Sequence, residues 1–313
     1  MRRRSFLACA MAAPLVGQAA MAQTNAALAI PARKLERLCL STSSYRANYD
    51  GWRFADPAVL PRLSHLIFPR YVKERFGLTK VELWDQQFGP SGAAGAAAAT
   101  PEFCRQIKAA ADDVGVSIVS IEVESTPPMD QLDAAARDQT VDACKAWLDK
   151  ARILGAQSIR VNVNKTKGVV NMDAAVDTLR RVAAYGRSIG VRVLLENHGG
   201  YTSDPHNLAA MVKAVGDDFC RAEVDWGEWS APGDRYDDLQ SAMPYAHIVS
   251  AKGLTFDEAT YQHTDYDVGR IVRKAEVGGF KGVYSIELWN TPAPRDTDRA
   301  VRSFMTSISQ NMA

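Results

Sequence analysis

Strand-length apolar runs alternate strictly with segments of helical periodicity along this chain, and that alternation most constrains its fold. The spacing predicts strands over residues 37–45, 80–85, 116–123, 158–163, 191–196, 221–225, 247–252 and 283–288. Helical periodicity follows each of them, over residues 60–76, 101–114, 132–154, 172–189, 207–215, 236–243, 266–277 and 297–309. Thr100 before Pro101 marks one helix start, and Gly77, Gly155, Gly190 and Gly216 mark stops. Strands separated by helices pair in parallel, and eight such units predict closure into a (β/α)8 barrel of the α/β class. A length of 313 residues suits one such domain, expected over 36–313. No GxGxxG follows an early strand, which argues against a dinucleotide-binding sheet.

The first residues read as an address rather than as fold. Arg2, Arg3 and Arg4 precede Ser5-Phe6-Leu7 and an Ala-rich apolar run, and Ala20-Met21-Ala22 offers a small-residue cleavage site. Residues 1–22 are expected to be a twin-arginine signal, read by the corresponding export machinery, with 23–35 as a linker. The run is short for a membrane anchor, so a periplasmic location without a stable anchor is expected. Net charge is +1, and no basic patch favours nucleic acid. Once Cys9 leaves with the signal, Cys39, Cys104, Cys144 and Cys220 remain, none in a CxxC motif, and buried small hydrophobes are the expected reading.

Chemistry concentrates at the strand ends. Arg160 and Asn162, Glu196-Asn197-His198, Asp225, Ser250 with Lys252, and Glu287 each close an apolar run. The C-terminal ends of barrel strands are where such a fold builds its active site. Side chains alternate faces, so Glu196 falls with Leu194, Glu287 with Ser285, Arg160 with Asn162, and Glu82 with Trp84. Lys252 falls with Ser250 and Ile248, and His247 does not. A carboxylate in a dry barrel is costly unless paired or metal-bound, which makes Glu196, Asp225 and Glu287 candidate ligands. Asp225 could instead cap a turn. Trp84, Trp226 and Trp229 are candidates to offer a flat aromatic face to a substrate. The loops over 47–57, with Tyr49, Trp52 and Phe54, and over 86–99, rich in Gly and Ala, are expected beside the site.

The stretches Val-Leu-Leu-Glu196-Asn197-His198-Gly-Gly, Glu-Val-Asp225-Trp-Gly, Val-Ser-Ala-Lys252 and Tyr-Ser-Ile-Glu287 resemble the sugar isomerase/epimerase superfamily with the xylose-isomerase-like barrel. The resemblance spans roughly residues 36–309. It implies a divalent metal (Mn²⁺, Mg²⁺ or Co²⁺, with Zn²⁺ as a further candidate) on Glu196, Asp225 and Glu287. The family's fourth ligand, a His two residues before the Lys, is Ser250 here. An all-oxygen set favours Mg²⁺, Ca²⁺ or Mn²⁺ over Zn²⁺, and a lapsed metal site stays open as an alternative. Glu228 stands where relatives place a substrate-contacting His.

The resemblance implies an isomerase or epimerase of a sugar or keto-sugar, acting through an enediolate with Glu196 and Glu287 moving the proton. Lys252 would stabilise the oxyanion. Glu82, Trp84, Arg160, Asn162, His198, Glu228 and Ser250 are the candidate substrate contacts. A homo-oligomer is one assembly it implies. Two alternatives stay open: a lyase or hydrolase of a 3-keto-glycoside, and a non-catalytic sugar-binding barrel.

Overall fold

The structure, a computed structural model, describes residues 30–49, 55–88, 95–163, 170–290 and 296–313. The expected signal over 1–22, Trp52, Phe54 and part of the loop over 86–99 lie outside the described residues. Eight parallel strands close into a barrel in sequence order: β1 Leu38–Ser41, β2 Lys80–Trp84, β3 Ser117–Glu122, β4 Ser158–Val161, β5 Arg192–Glu196, β6 Cys220–Asp225, β7 Ala246–Gly253 and β8 Val283–Leu288. The helix that follows each strand is α1 Phe68–Phe76, α2 Pro101–Asp112, α3 Ala134–Leu154, α4 Met172–Ile189, α5 Pro205–Val215, α6 Arg235–Asp238, α7 Val268–Val277 and α8 Thr297–Asn311.

The helix starts follow their caps. Thr100, Asp133, Asn171, Asp204 and Asp267 each accept a backbone N–H of the first turn. Three expected elements differ. Residues 42–48 leave the first strand as 3₁₀ turns, because Ser41 Oγ accepts Ser43 N–H at 3.1 Å and turns the chain. The helix expected from residue 60 begins at Phe68, with Pro69 in its first turn. The helix expected over 236–243 is one α turn followed by 3₁₀ turns at Leu239–Ser241 and Met243–Tyr245, since Pro244 has no N–H to donate to the Gln240 carbonyl and continue an α-helical ladder. Within the expected linker, Ala32–Leu35 form a helical turn, and Lys34 Nζ donates to the Ser309 and Met312 carbonyls at 2.9 and 2.8 Å.

The main apolar core lies between barrel and helices. Inside the barrel the layers change character from bottom to top. Cys39, Val119, Leu194 and Ile248, one from each odd-numbered strand, form a dry apolar floor. Parity then places Glu82, Arg160, Glu223 and Ser285 above it, one from each even-numbered strand, and all are buried. Two bulges set this phase. Glu82 pairs with Ser120 after Val81 pairs with Ile118, so Val119 is the inserted residue. Glu223 pairs with Ile248 after Ala222 pairs with Ala246, so His247 is inserted at the start of β7. His247 therefore stays at the N-terminal end, where burial and the neighbouring Arg192 and Arg221 push its pKa down to about 4.

Candidate active site

The upper barrel layers carry an acidic cluster around two cations. Arg160 of β4 points inward and lies 3.3 Å from Glu122 Oε2 and 3.2 Å from Glu196 Oε2, and it also donates to Glu124. Asn162 Nδ2 donates to both Glu124 oxygens at 3.2 Å. Lys252 of β7 brings Nζ to 3.1 Å from Asp225 Oδ2, 3.4 Å from Glu287 Oε1 and 3.4 Å from Glu228 Oε1. Ser250 Oγ donates to Glu287 Oε2 at 3.0 Å. Below them, Ser285 Oγ donates to Glu82 Oε2 at 2.6 Å, and Ser41 Oγ donates to Glu122.

Asp225 caps a turn, one of the two readings the sequence left open. Its Oδ1 accepts Gly227 N–H at 2.7 Å and Glu228 N–H at 3.2 Å, while Oδ2 faces Lys252. This turn delivers Glu228 to the mouth. Asn197, facing away from the barrel axis, fixes the same turn. Its Nδ2 donates to the Asp225 carbonyl at 2.8 Å and to the Glu228 carbonyl, and its Oδ1 accepts Asp225 N–H at 2.8 Å.

Charge is unevenly compensated here, and the protonation preferences follow. Burial pushes Glu196 up to about 8 and Asp225 up to about 7, against the pull of Arg160 on the first and of Lys252 on both. Burial alone would raise Glu287 too, but Lys252, Arg160 and the Ser250 hydroxyl outweigh it and hold that carboxyl below its usual range. Burial carries Glu122 and Glu223 well above the carboxylate range and raises Glu82, because these sit near one another in the dry interior. Burial also lowers His198, so its ring is neutral at neutral pH.

Glu196, Asp225 and Glu287 each bring one oxygen within 4.8 Å of the others, and an oxygen each from Glu124 and Glu196 with a ring nitrogen of His198 lie equally close. Arg160 stands near Glu196 without hydrogen-bond alignment, so both Glu196 oxygens are buried with no hydrogen-bond donor. Orphaned carboxylate oxygens facing two more carboxylates fit a hard cation. The donor set is all oxygen, with Ser250 in β7 where an imidazole would add nitrogen.

The structure brings Glu196, Asp225, Glu228, Ser250, Lys252 and Glu287 together on one side of the mouth, and Arg160, Asn162 and His198 beside them. Glu82 lies a layer deeper. Trp84 is buried on the inward face of β2, outside the apolar core clusters. Trp226 does not line the site: one residue past inward-facing Asp225, it points out to the helix layer, 5.6 Å from the Tyr284 ring. Trp229 Nε1 is spent on Asp238 at 3.1 Å. Tyr49 packs into the core against His65 and Phe68. Three carboxylates went unnoticed in the sequence. Glu223 shares parity with Asp225 and Glu124 with Glu122, a signal that was present but lay inside or just beyond strands rather than at their ends. Trp289 was also missed. It shares parity with Glu287, its ring centre is 5.5 Å from Lys252 Nζ, and the Arg46 guanidinium stacks on it at 3.7 Å.

Residues 70–308 match the family described as xylose isomerase-like TIM barrel. No curated protein matches the chain in sequence. Among solved structures, 3-keto-D-glucoside 4-epimerase YcjR from E. coli superposes with a TM-score of 0.62 at 13% identity, covering 83% of this chain and 99% of that one. D-psicose 3-epimerase from Clostridium cellulolyticum H10, solved with D-tagatose, gives 0.61 at 13% identity, covering 88% and 96%. The IolI protein, solved with a zinc atom, gives 0.66 at 14% identity, covering 88% and 99%.

Proposed function

Since the chain belongs to the xylose isomerase-like TIM-barrel family, we propose that it is an enzyme moving a proton at a carbon next to the carbonyl of a sugar or keto-sugar, as an isomerase or epimerase. One observation carries this reading. Two buried carboxyls, Glu196 and Glu287, bring oxygens within 4.8 Å of each other but meet different partners: Glu287 faces Lys252 at 3.4 Å and accepts the Ser250 hydroxyl, which favours its ionised form, while both Glu196 oxygens lack a hydrogen-bond donor and burial favours its protonated form. Such a divergence separates an acid from a base at one pH.

At neutral pH the ionised Glu287 takes the C–H proton, and the electron pair left behind moves onto the carbonyl oxygen. Glu196 returns a proton to the opposite face of the same carbon in an epimerisation. In an isomerisation the proton returns to the former carbonyl carbon, while the adjacent hydroxyl gives its proton to the former carbonyl oxygen and becomes the new carbonyl. With no ion bound, Lys252 sits among the carboxylates at Asp225 and Glu287 and would face the oxygen where charge develops. Arg160 orients Glu196 and Glu124, while Asn162, His198, Glu228 and the Trp84 and Trp289 rings offer contacts for hydroxyls and a ring face. Glu196, Asp225 and Glu287 would hold a divalent cation, Mn²⁺ or Mg²⁺ ahead of Co²⁺ and Zn²⁺ by donor chemistry. When bound, such an ion supplies charge at the carbonyl oxygen.

The epimerases among the structural neighbours support a carbohydrate substrate for this shared architecture. The signal read over 1–22 supports a periplasmic one, and fractionation of cells bearing Arg3→Lys/Arg4→Lys variants tests the address. The reaction is tested by incubating a panel of keto-sugars with the enzyme in D₂O and following deuterium uptake by NMR. Uptake beside the carbonyl is expected. Glu196→Gln and Glu287→Gln should each lower it by about 10²–10⁴-fold, the usual worth of a positioned acid or base. Full exchange in both variants overturns the proton-transfer assignment.

A further inference from the structure

We propose that Lys252 is a built-in competitor for the divalent cation: its ammonium and the ion exclude one another on Asp225 and Glu287. The inference rests on the reading of Glu196, Asp225 and Glu287 as a metal site, and it concerns what already occupies two of those three ligands.

Each oxygen of Asp225 and Glu287 is engaged. Asp225 Oδ1 holds the Gly227 and Glu228 amides, and its Oδ2 faces Lys252 at 3.1 Å. Glu287 Oε2 holds Ser250, and its Oε1 faces Lys252 at 3.4 Å. Only Glu196 keeps both oxygens without a hydrogen-bond donor. Ligand oxygens within 4.8 Å of one another leave room for one cation at their centre, and an ammonium already touching two of them would stand against a doubly charged ion.

A second observation shows that the chain is shaped to deliver this ammonium. Gly227, in the turn after β6, lies against the lysine stem. A Cβ placed there would come 2.8 Å from Lys252 Cδ, 3.0 Å from Cγ and 3.1 Å from Cβ. The missing side chain at 227 is the channel through which Lys252 reaches the cluster. Tyr266 pins the same strand position by donating its hydroxyl to the Lys252 carbonyl. Ser250, two residues earlier on the same face, contributes a hydroxyl that secures Glu287 instead of an imidazole that would add a metal ligand. Glu228, the third carboxylate partner of Lys252 at 3.4 Å and the most exposed of the three, would offer the ammonium an alternative seat at the mouth.

Titration of the metal-stripped protein with Mn²⁺, followed by calorimetry and by the EPR signal of the free ion, tests this. The wild type should bind weakly. Lys252→Met should bind at least tenfold more tightly, and Lys252→Arg, which keeps the charge, should stay near the wild type. Gly227→Ala closes the lysine channel and should also tighten binding, and it decides the matter if Lys252→Met does not fold. Equal or weaker Mn²⁺ affinity in folded Lys252→Met, or in Gly227→Ala, overturns the competition while leaving the metal site standing. An absence of Mn²⁺ binding in the wild type and in both variants overturns the competition and the metal site together.

Discussion

Asn197 shows how one side chain that meets no substrate decides the shape of the site. It joins the ends of β5 and β6 through three hydrogen bonds, two of them to Asp225 backbone and one to the Glu228 carbonyl. It is fully buried, so removing its amide leaves the Asp225 N–H and two carbonyls without partners. An unsatisfied buried backbone group costs about 1–3 kcal/mol. Asn197→Ala should therefore lower unfolding stability by about 2–4 kcal/mol in urea, and it should lower activity by loosening Glu228. A change below about 0.5 kcal/mol would refute this account of the turn. At this scale much of the site was legible. Parity alone grouped Glu196 with Leu194 and Lys252 with Ser250, because those strand ends keep a regular pleat. Glu122 and Glu223 were not legible in the same way, since charge inside an apolar run reads as an outward face unless the phase is known. The bulge at Val119 shifts that phase within β3 itself.

Helix and strand limits were legible where local chemistry sets them and illegible where packing does. Gly77, Gly155, Gly190 and Gly216 end their helices in left-handed backbone, as their positions in the sequence suggest. The late start of α1 and the broken α6 depend on prolines whose effect competes with a good apolar period. Gly186 illustrates a constraint visible only in three dimensions. It lies inside α4, where glycine costs helix stability, and nothing in the sequence separates it from a weak spot. In the structure a Cβ at 186 would lie 2.3 Å from the Val191 carbonyl oxygen, at the entry to β5. The carbonyl of Gly186 also accepts Val191 N–H at 2.9 Å. Gly186→Ala gains helix propensity of about 1 kcal/mol and loses more through the backbone clash. The expected result is a net loss of about 1–3 kcal/mol by denaturant titration, together with weaker ligand binding, because β5 carries Glu196. A neutral or stabilising effect would mean that α4 docks on β5 with room to spare.

The whole molecule carries a pH signature because its barrel interior is acidic while its shell is not. Glu82, Glu122 and Glu223 are buried, and burial raises all three, Glu122 and Glu223 well above their ordinary value. In the unfolded chain they ionise near 4.3. Between that value and their folded values the native state binds more protons than the unfolded state. Stability must therefore fall as pH rises through this window, at about 1.4 kcal/mol per pH unit for each group that has titrated only in the unfolded chain. His65 acts from the other side. Its ring is buried 4.4 Å from Phe88 and 5.4 Å from Tyr49, and burial pushes its pKa down to about 3. The unfolded chain takes up that proton near 6.5, so His65 removes stability as pH falls from there toward 3. The two effects pull in opposite directions, and three carboxyls outweigh one imidazole above about pH 4.3, so stability should peak near pH 4 and decline toward pH 9. Denaturant titrations of the metal-free protein at about pH 3, 4, 5.5, 7.5 and 9 should show that dome. Glu122→Gln with Glu223→Gln should flatten its alkaline side, because an amide carries no proton to lose. His65→Phe should flatten the acid side, because an uncharged ring fills the same aromatic box. Stability that rises steadily from pH 5.5 to 9 would mean that the interior carboxylates are ionised, and that cations beyond Arg160 and Lys252 compensate them in the folded state.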